Sequence, residues 1–167
     1  YDSNMDAVAN AGGFIAVYPA GTGVKENELF LVWNDGRKFI GEGYKYPDDV
    51  GFIMSVIEDL GSVFNIDRKR IYLTGYSNGA QFAYYLLNAR PDKFAALAAV
   101  AGQRAPTMFK SKPVPIMQFA GLEDKFGPYY GGKPAEFKGR FRVALETVQE
   151  AVPKVKDSWV RFNGCIG

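Results

Sequence analysis

The 167 residues are 47% hydrophobic and carry a net charge of +2, a composition and length that fit one globular domain and exclude a disordered tail. The 20 Lys and Arg residues are scattered rather than clustered, which argues against a nucleic-acid face, and no apolar run approaches the roughly 20 residues a membrane span requires. There is no histidine and one cysteine, so the usual zinc sites and a complete Ser-His-Asp triad are excluded, and no metal or cofactor is expected.

Residues 1–10 have neither the basic start nor the apolar stretch of a signal peptide and read as mid-domain sequence. The predicted elements then alternate. Residues 2–11 read as the end of a helix, stopped by Gly12-Gly13. Residues 14–18 (FIAVY) form a short apolar, β-rich run of the kind buried in a parallel sheet. Residues 25–46 are irregular, a long loop broken by Gly36, Gly41 and Gly43. Asp48 or Asp49 caps a helix whose apolar stripe is Val50, Ile53, Ile57 and Leu60, with Phe52 and Val56 beside it. A strand at 71–74, a helix at 78–89, strands at 94–100 and 114–119, and a last helix at about 137–152 complete the chain. Strands separated by helices imply a parallel sheet with right-handed crossovers, and no linker or internal repeat interrupts it. The expectation is one α/β domain over 1–167, three-layered, with about four core strands.

The stretch Arg70 to Gly79 (RIYLTGYSNG) reads strand, then G-x-S-x-G, then helix. In that context Ser77 is a candidate nucleophile. A serine on a tight turn projects its hydroxyl above the sheet, and small residues at Gly75 and Gly79 let strand and helix pass closely. The N-terminal amides of the following helix, with Asn78 N–H foremost, face any oxyanion that forms. The bland alternative is a Gly-flanked serine capping a helix. The acidic partner in such a site follows a later strand; the loop Gly121-Leu122-Glu123-Asp124 offers Asp124 first and Glu123 second. Trp33, Tyr76 and Tyr129, with Tyr44, Tyr46 and Tyr130, are aromatic side chains placed in or near loops. Trp33, Tyr76 and Tyr129 are the candidate substrate-binding residues, with ordinary loop packing as the competing role.

These motifs together resemble the polyhydroxybutyrate depolymerase and feruloyl esterase family of α/β-hydrolases. The resemblance runs through residues 13–23 (GFIAVYPAGTG), Trp33-Asn34-Asp35-Gly36-Arg37, residues 48–53 (DDVGFI), Asn65-Ile66-Asp67, Gly75 to Gly79, residues 94–102, Gly121 to Asp124, residues 129–132 and Asn163-Gly164-Cys165. It implies a secreted serine carboxylic ester hydrolase, with Ser77 as nucleophile, Asp124 as acid and an ester substrate that is polymeric or aromatic. It also implies that Cys165 corresponds to a cysteine that often forms a disulfide. The family begins with a strand leading to a His-Gly loop and continues to a catalytic histidine, so this chain resembles its middle part, and Ala120 stands where the histidine of a His-Gly pair is expected. Activity without histidine is expected to be weak. The alternative is a non-catalytic binding scaffold of the same ancestry, for ligand or polymer. An incomplete sheet edge would invite pairing with a second chain.

Overall fold

The computed structural model describes residues 3–23, 31–37, 45–106, 112–135 and 148–165. The elements in chain order are α1 (Met5–Gly12), β1 (Thr22–Gly23), β2 (Leu31–Val32), α2 (Asp49–Val63), β3 (Tyr72–Tyr76), α3 (Asn78–Ala89), β4 (Ala96–Val100), β5 (Ile116–Phe119) and α4 (Val152–Phe162). Strands β3, β4 and β5 form a parallel sheet in that order, with Tyr72 opposite Ala96, Tyr76 opposite Val100, and Val100 opposite Phe119. β1 and β2 form a separate antiparallel pair.

Local signals explain most boundaries. Asp48 caps α2 by accepting the Gly51 N–H at 2.9 Å, and Ile53 and Ile57, four apart, bury on one face. Gly13 ends α1 in the left-handed conformation, its N–H bonded to the Ala9 carbonyl. α3 is buried along most of its length, and its Phe82, Ala83, Leu86 and Leu87 meet Leu97 and Ala99 of β4. Ile53 and Ile57 from α2 and Val155 and Trp159 from α4 join this same cluster.

The strands alternate with period two. Leu73, Leu97, Ala99 and Ile116 belong to the core, whereas Tyr72, Tyr76, Met117 and Phe119 are each more than half exposed. Among the described residues the sheet is therefore covered on one face, and three strands rather than about four make it up. Residues 14–18, expected as a buried strand, have no ladder partner among the described residues, and Phe14, Ile15, Val17 and Tyr18 are each about half exposed. Their apolar content reads as a strand, but a strand needs a neighbouring edge, and the run is not paired to β3.

The last helix also differs from expectation. Of the reading at 137–152, residues 136–147 lie outside the described residues, and 148–151 are not helical. Gly132 and Gln149 instead exchange two backbone hydrogen bonds, at 3.0 and 2.8 Å, and the helix begins at Val152. Pro153 is the reason. A proline at the first helical turn loses no intrahelical bond, so it starts α4 rather than ending a preceding helix. Val152, Val155 and Trp159 then bury on one face. The Asn163 side chain fastens the far end by accepting from the Val114 N–H at 3.1 Å and donating to the Val114 carbonyl at 2.8 Å.

Two buried polar groups generate predictions. Tyr84 is fully buried against Trp159, its hydroxyl has no partner among the described residues, and burial pushes its phenol pKa up. Removing an unsatisfied buried hydroxyl relieves a desolvation cost of about 1–3 kcal/mol. Tyr84→Phe should therefore raise Tm by a few degrees in calorimetry, and a fall would mean the hydroxyl is satisfied. Asp49, in the first turn of α2, is buried; burial raises its carboxyl above the usual value, only partly offset by the Asn34 N–H it accepts at 2.6 Å. A raised folded pKa favours the folded state at low pH, and that contribution is lost as pH rises through the folded value. In Asp49→Asn the Asn34 bond can persist without the charge. The Tm of the variant relative to the parent should then climb between pH 3.5 and pH 6; a declining difference would show that the helix N-terminus outweighs burial.

Candidate active site

The elbow is built by three close approaches at the C-terminal edge of the sheet. Ser77 joins β3 to α3 with φ 53 and ψ −118, a left-handed conformation that a serine seldom adopts. Its N–H is tied to the Val100 carbonyl at 2.9 Å, and its carbonyl accepts the Gln81 N–H at 3.0 Å, the first bond of α3. A Cβ on Gly75 would lie 2.5 Å from the Gly79 carbonyl carbon, and one on Gly102 would lie 2.7 Å from Ala80 Cβ and 2.8 Å from the Ser77 carbonyl oxygen. Gly75 and Gly102 are thus sterically required. Gly79 is not, because a Cβ there would meet only the Trp33 ring at 4.0 Å; Gly79 supplies the backbone that Gly75 approaches. Ser77 itself is exposed, and its hydroxyl does not cap the helix. The N–H groups of Asn78, Gly79 and Ala80 precede the first intrahelical bond and are directed at the space around the serine.

Asp124 lies in the loop after β5, at the same edge of the sheet. Its Oδ1 accepts the N–H groups of Phe126 at 2.8 Å and Gly127 at 2.9 Å, so the carboxylate organises its own turn. A Cβ on Gly127 would be 3.2 Å from Asp124 Oδ2 and 3.9 Å from the Ala101 carbonyl, which sets this turn beside the Ala101-Gly102 segment that touches the Ser77 backbone. No hydrogen bond joins Asp124 to Ser77 among the described residues. Glu123 is exposed. Tyr76 ends β3 and is exposed, while Tyr129 packs edge-on to Tyr130 at 5.2 Å. Tyr129 also lines a cavity of about 310 Å³ with Gln118, Ala120, Val152, Pro153 and Lys156. Gln118 Nε2 is buried there without a partner among the described residues. Tyr46 is half-buried, and Tyr44 lies outside the described residues.

Trp33 and Asn78 are brought together. Trp33 N–H donates to Asn78 Oδ1 at 2.7 Å, and Asn78 Nδ2 donates to the Trp33 carbonyl at 3.2 Å and to Asp35 Oδ2 at 3.0 Å. The Trp33 ring stacks on Phe82 with centroids 4.8 Å apart and planes 2° from parallel, and on Phe52 at 6.4 Å. The indole therefore fills the seam between α2 and α3 as well as flanking Gly79. Asp35 is fully buried; its carboxylate pairs with the Arg37 guanidinium through both oxygens, and its carbonyl accepts from Arg104 Nη2 at 2.6 Å.

Residues 2–128 match the model of the prolyl oligopeptidase family. The chain belongs to that family of α/β-hydrolases. Its relatives include esterases. It is 30% identical to a bifunctional acetylxylan esterase/xylanase of Neocallimastix patriciarum over 74% of this chain and 16% of that protein. It is 28% identical to feruloyl esterase B of Piromyces equi over 96% of this chain and 28% of that protein. It is 30% identical to poly(3-hydroxyalkanoate) depolymerase C of Paucimonas lemoignei over 60% of this chain and 23% of that protein. The chain thus spans less than a third of the length of each of these relatives.

In this α/β-hydrolase, sequence reasoning missed Asp35, Arg104 and Gly102. Gly102 carried a signal, since it closes a strand-to-loop stretch of the family pattern. Asp35 sits inside Trp33-Asn34-Asp35-Gly36-Arg37, yet an aspartate in a glycine-broken loop looks like a solvated turn residue until its burial is known. Removing one partner of a buried pair leaves the other uncompensated, at a cost of about 3–5 kcal/mol. Asp35→Ala should lose stability of that order in urea unfolding; a loss below about 1 kcal/mol would show that Arg37 and Asn78 find other acceptors.

Proposed function

We propose that this chain is the nucleophile-bearing part of a secreted serine carboxylic ester hydrolase. The observation that carries the reading is Ser77 itself, exposed and held at φ 53 between a parallel strand and a helix N-terminus. Backbone strain of this kind costs about 1–3 kcal/mol and persists where the surroundings over-determine it, which is characteristic of functional turns. Ser77 Oγ attacks the ester carbonyl, and the Asn78 N–H donates to the oxyanion as it forms. Collapse of the tetrahedral intermediate expels the alcohol and leaves an acyl-serine, which water hydrolyses. Asp124 is the acidic member and Glu123 its neighbour. Trp33, Tyr76 and Tyr129 contribute aromatic surface to the substrate.

The proton acceptor is the weak point of this chemistry. No histidine occurs in the 167 residues, so water or a carboxylate of the Asp124 loop takes the serine proton. A carboxylate is poorly matched to a serine hydroxyl near neutral pH. Hydrolases stripped of a triad member keep about 10³–10⁴-fold acceleration over water through oxyanion stabilisation and binding. The esterase relatives support ester hydrolysis as the reaction, and the names of two of them, a feruloyl esterase and a polyhydroxyalkanoate depolymerase, support an aromatic or polymeric ester as substrate.

p-Nitrophenyl acetate hydrolysis by purified chain, beside Ser77→Ala prepared identically, tests this. A slow turnover that falls at least tenfold in the variant is expected. Equal rates would overturn the catalytic reading and leave a ligand-binding scaffold of hydrolase ancestry.

A further inference from the structure

The cavity of about 310 Å³ beside Tyr129 has in its wall a buried hydrogen-bonding group with nothing to bond. Gln118 stands opposite Ala99 in the β4–β5 ladder, and by the two-residue period it turns to the core face with Ile116. The side chain lines the cavity, and its Nε2 is shielded from solvent and has no partner among the described residues. A buried N–H group left unmet is costly, and one beside a cavity points to an occupant that satisfies it. The last torsion of a glutamine is intrinsically broad, so a turn of the carboxamide about that bond presents its N–H to a guest.

The other walls are fixed by backbone contacts. Gly131 adopts φ 78, its N–H bonds the Pro128 carbonyl at 2.8 Å, and a Cβ on it would lie 2.8 Å from Ala151 N. That close pass seats the 128–131 turn on the start of α4, where the Val152 N–H donates to the Tyr129 carbonyl at 2.9 Å. Gly132 and Gln149 extend the same contact through their two backbone hydrogen bonds. Tyr129, Val152 and Pro153 are thereby held in place as apolar walls, and Ala120 adds only a methyl group. Lys156 stands at the exposed rim, its ammonium paired with Asp157 at 2.9 Å.

We infer that this cavity binds a small neutral aryl carbonyl compound, whose oxygen accepts from Gln118 Nε2 and whose ring lies against Tyr129, Val152 and Pro153. The walls decide the class. Apolar surfaces on several sides suit a ring, and a carbonyl oxygen accepts without bringing a donor that would itself need a partner. The Lys156–Asp157 pair at the rim is neutral as a whole, which favours an uncharged guest over a carboxylate. The volume is near the lower end for ligand sites and limits the guest to a single substituted ring. Tyr129 is shared with the substrate surface proposed above, but occupation of the cavity requires neither Ser77 nor turnover.

Titration of the isotope-labelled whole chain with acetophenone, and with ethylbenzene as its oxygen-free counterpart, followed by nuclear magnetic resonance, tests the inference. Acetophenone is expected to bind saturably and to move the Gln118 side-chain amide resonances downfield, which ethylbenzene does not do. Gln118→Met keeps the length of the side chain and removes the amide; it should weaken acetophenone about fivefold and leave the affinity for ethylbenzene unchanged. Ala120→Leu, which fills the cavity, should abolish binding of both. If Gln118→Met does not fold, the amide shifts of the parent and the Ala120→Leu variant decide. No saturable binding of acetophenone, an unmoved Gln118 amide, equal effects of Gln118→Met on the two compounds, or binding retained in Ala120→Leu overturns the assignment.

Discussion

The structure depends on how closely α3 crosses the sheet at Ser77. With glycine at 75 and at 102, the Gly79 carbonyl and the Ser77 carbonyl come within the space a side chain would need. That approach presses α3 flat along β3 and β4 and buries Phe82, Leu86 and Leu87 against Leu97 and Ala99. Each large apolar side chain so buried is worth about 1.5–3 kcal/mol, so a few of them outweigh the left-handed strain at Ser77. The direction of causation matters for function. Serine does not choose this conformation; the packing on both sides of it imposes the conformation, and the exposed hydroxyl follows.

The loop before α2 is held to the elbow by a different kind of interaction. Asp35 has no exposed surface and binds Arg37 with its carboxylate, Asn78 through one carboxylate oxygen, and Arg104 through its carbonyl. A buried carboxylate adds little net stability over an apolar substitute, but its partners fix one arrangement and penalise others. Here the arrangement locks the Asn78 side chain on the Trp33 backbone, so the residue whose N–H opens α3 has no freedom to swing. Arg104 is drawn in by the same node from the segment after Gly102. The loop, the elbow and the strand-exit segment are thereby one polar unit resting on an apolar core.

What the sequence disclosed followed the range of the forces involved. α3 was legible to the residue because the elbow motif and its helix are adjacent in the chain, and Asp48 announced α2 through a bond only three residues long. The parallel order of β3, β4 and β5 followed from the alternation of strands and helices. Residues 14–18 misled because apolar content reports burial potential and says nothing about the edge a strand must find. The reading at 137–152 differs at its end because Gln149 pairs with Gly132, a contact across 17 positions, and Pro153 lies in the first turn of α4 instead. At the site, Ser77, Asn78 and the Asp124 turn were legible as motif, whereas the burial of Asp35 depends on Asn78 and Arg104, more than forty residues away in the chain.

The exposed face of the sheet sharpens that contrast. Parallel strands are ordinarily covered on both sides and carry apolar residues on both, and β3 and β5 do so, with Tyr72, Tyr76, Met117 and Phe119 turned away from the core. Composition along these strands is therefore that of a two-sided sheet, although the described helices that build the core cover one side. The elbow draws little from the open side. Ser77 is fixed by the Val100 carbonyl, by the close pass of Gly75 and Gly102, and by α3, all of which belong to the strand backbones or to the covered face. Asn78, Asp35 and Arg104 are likewise anchored through α3 and the loops above it. Tyr76 and Phe119 of the open face stand at the strand ends, the edge that carries Ser77. The geometry of Ser77 is thus set, among the described residues, by one layer of helices on three strands, and the open face contributes to its aromatic surroundings more than to the serine itself.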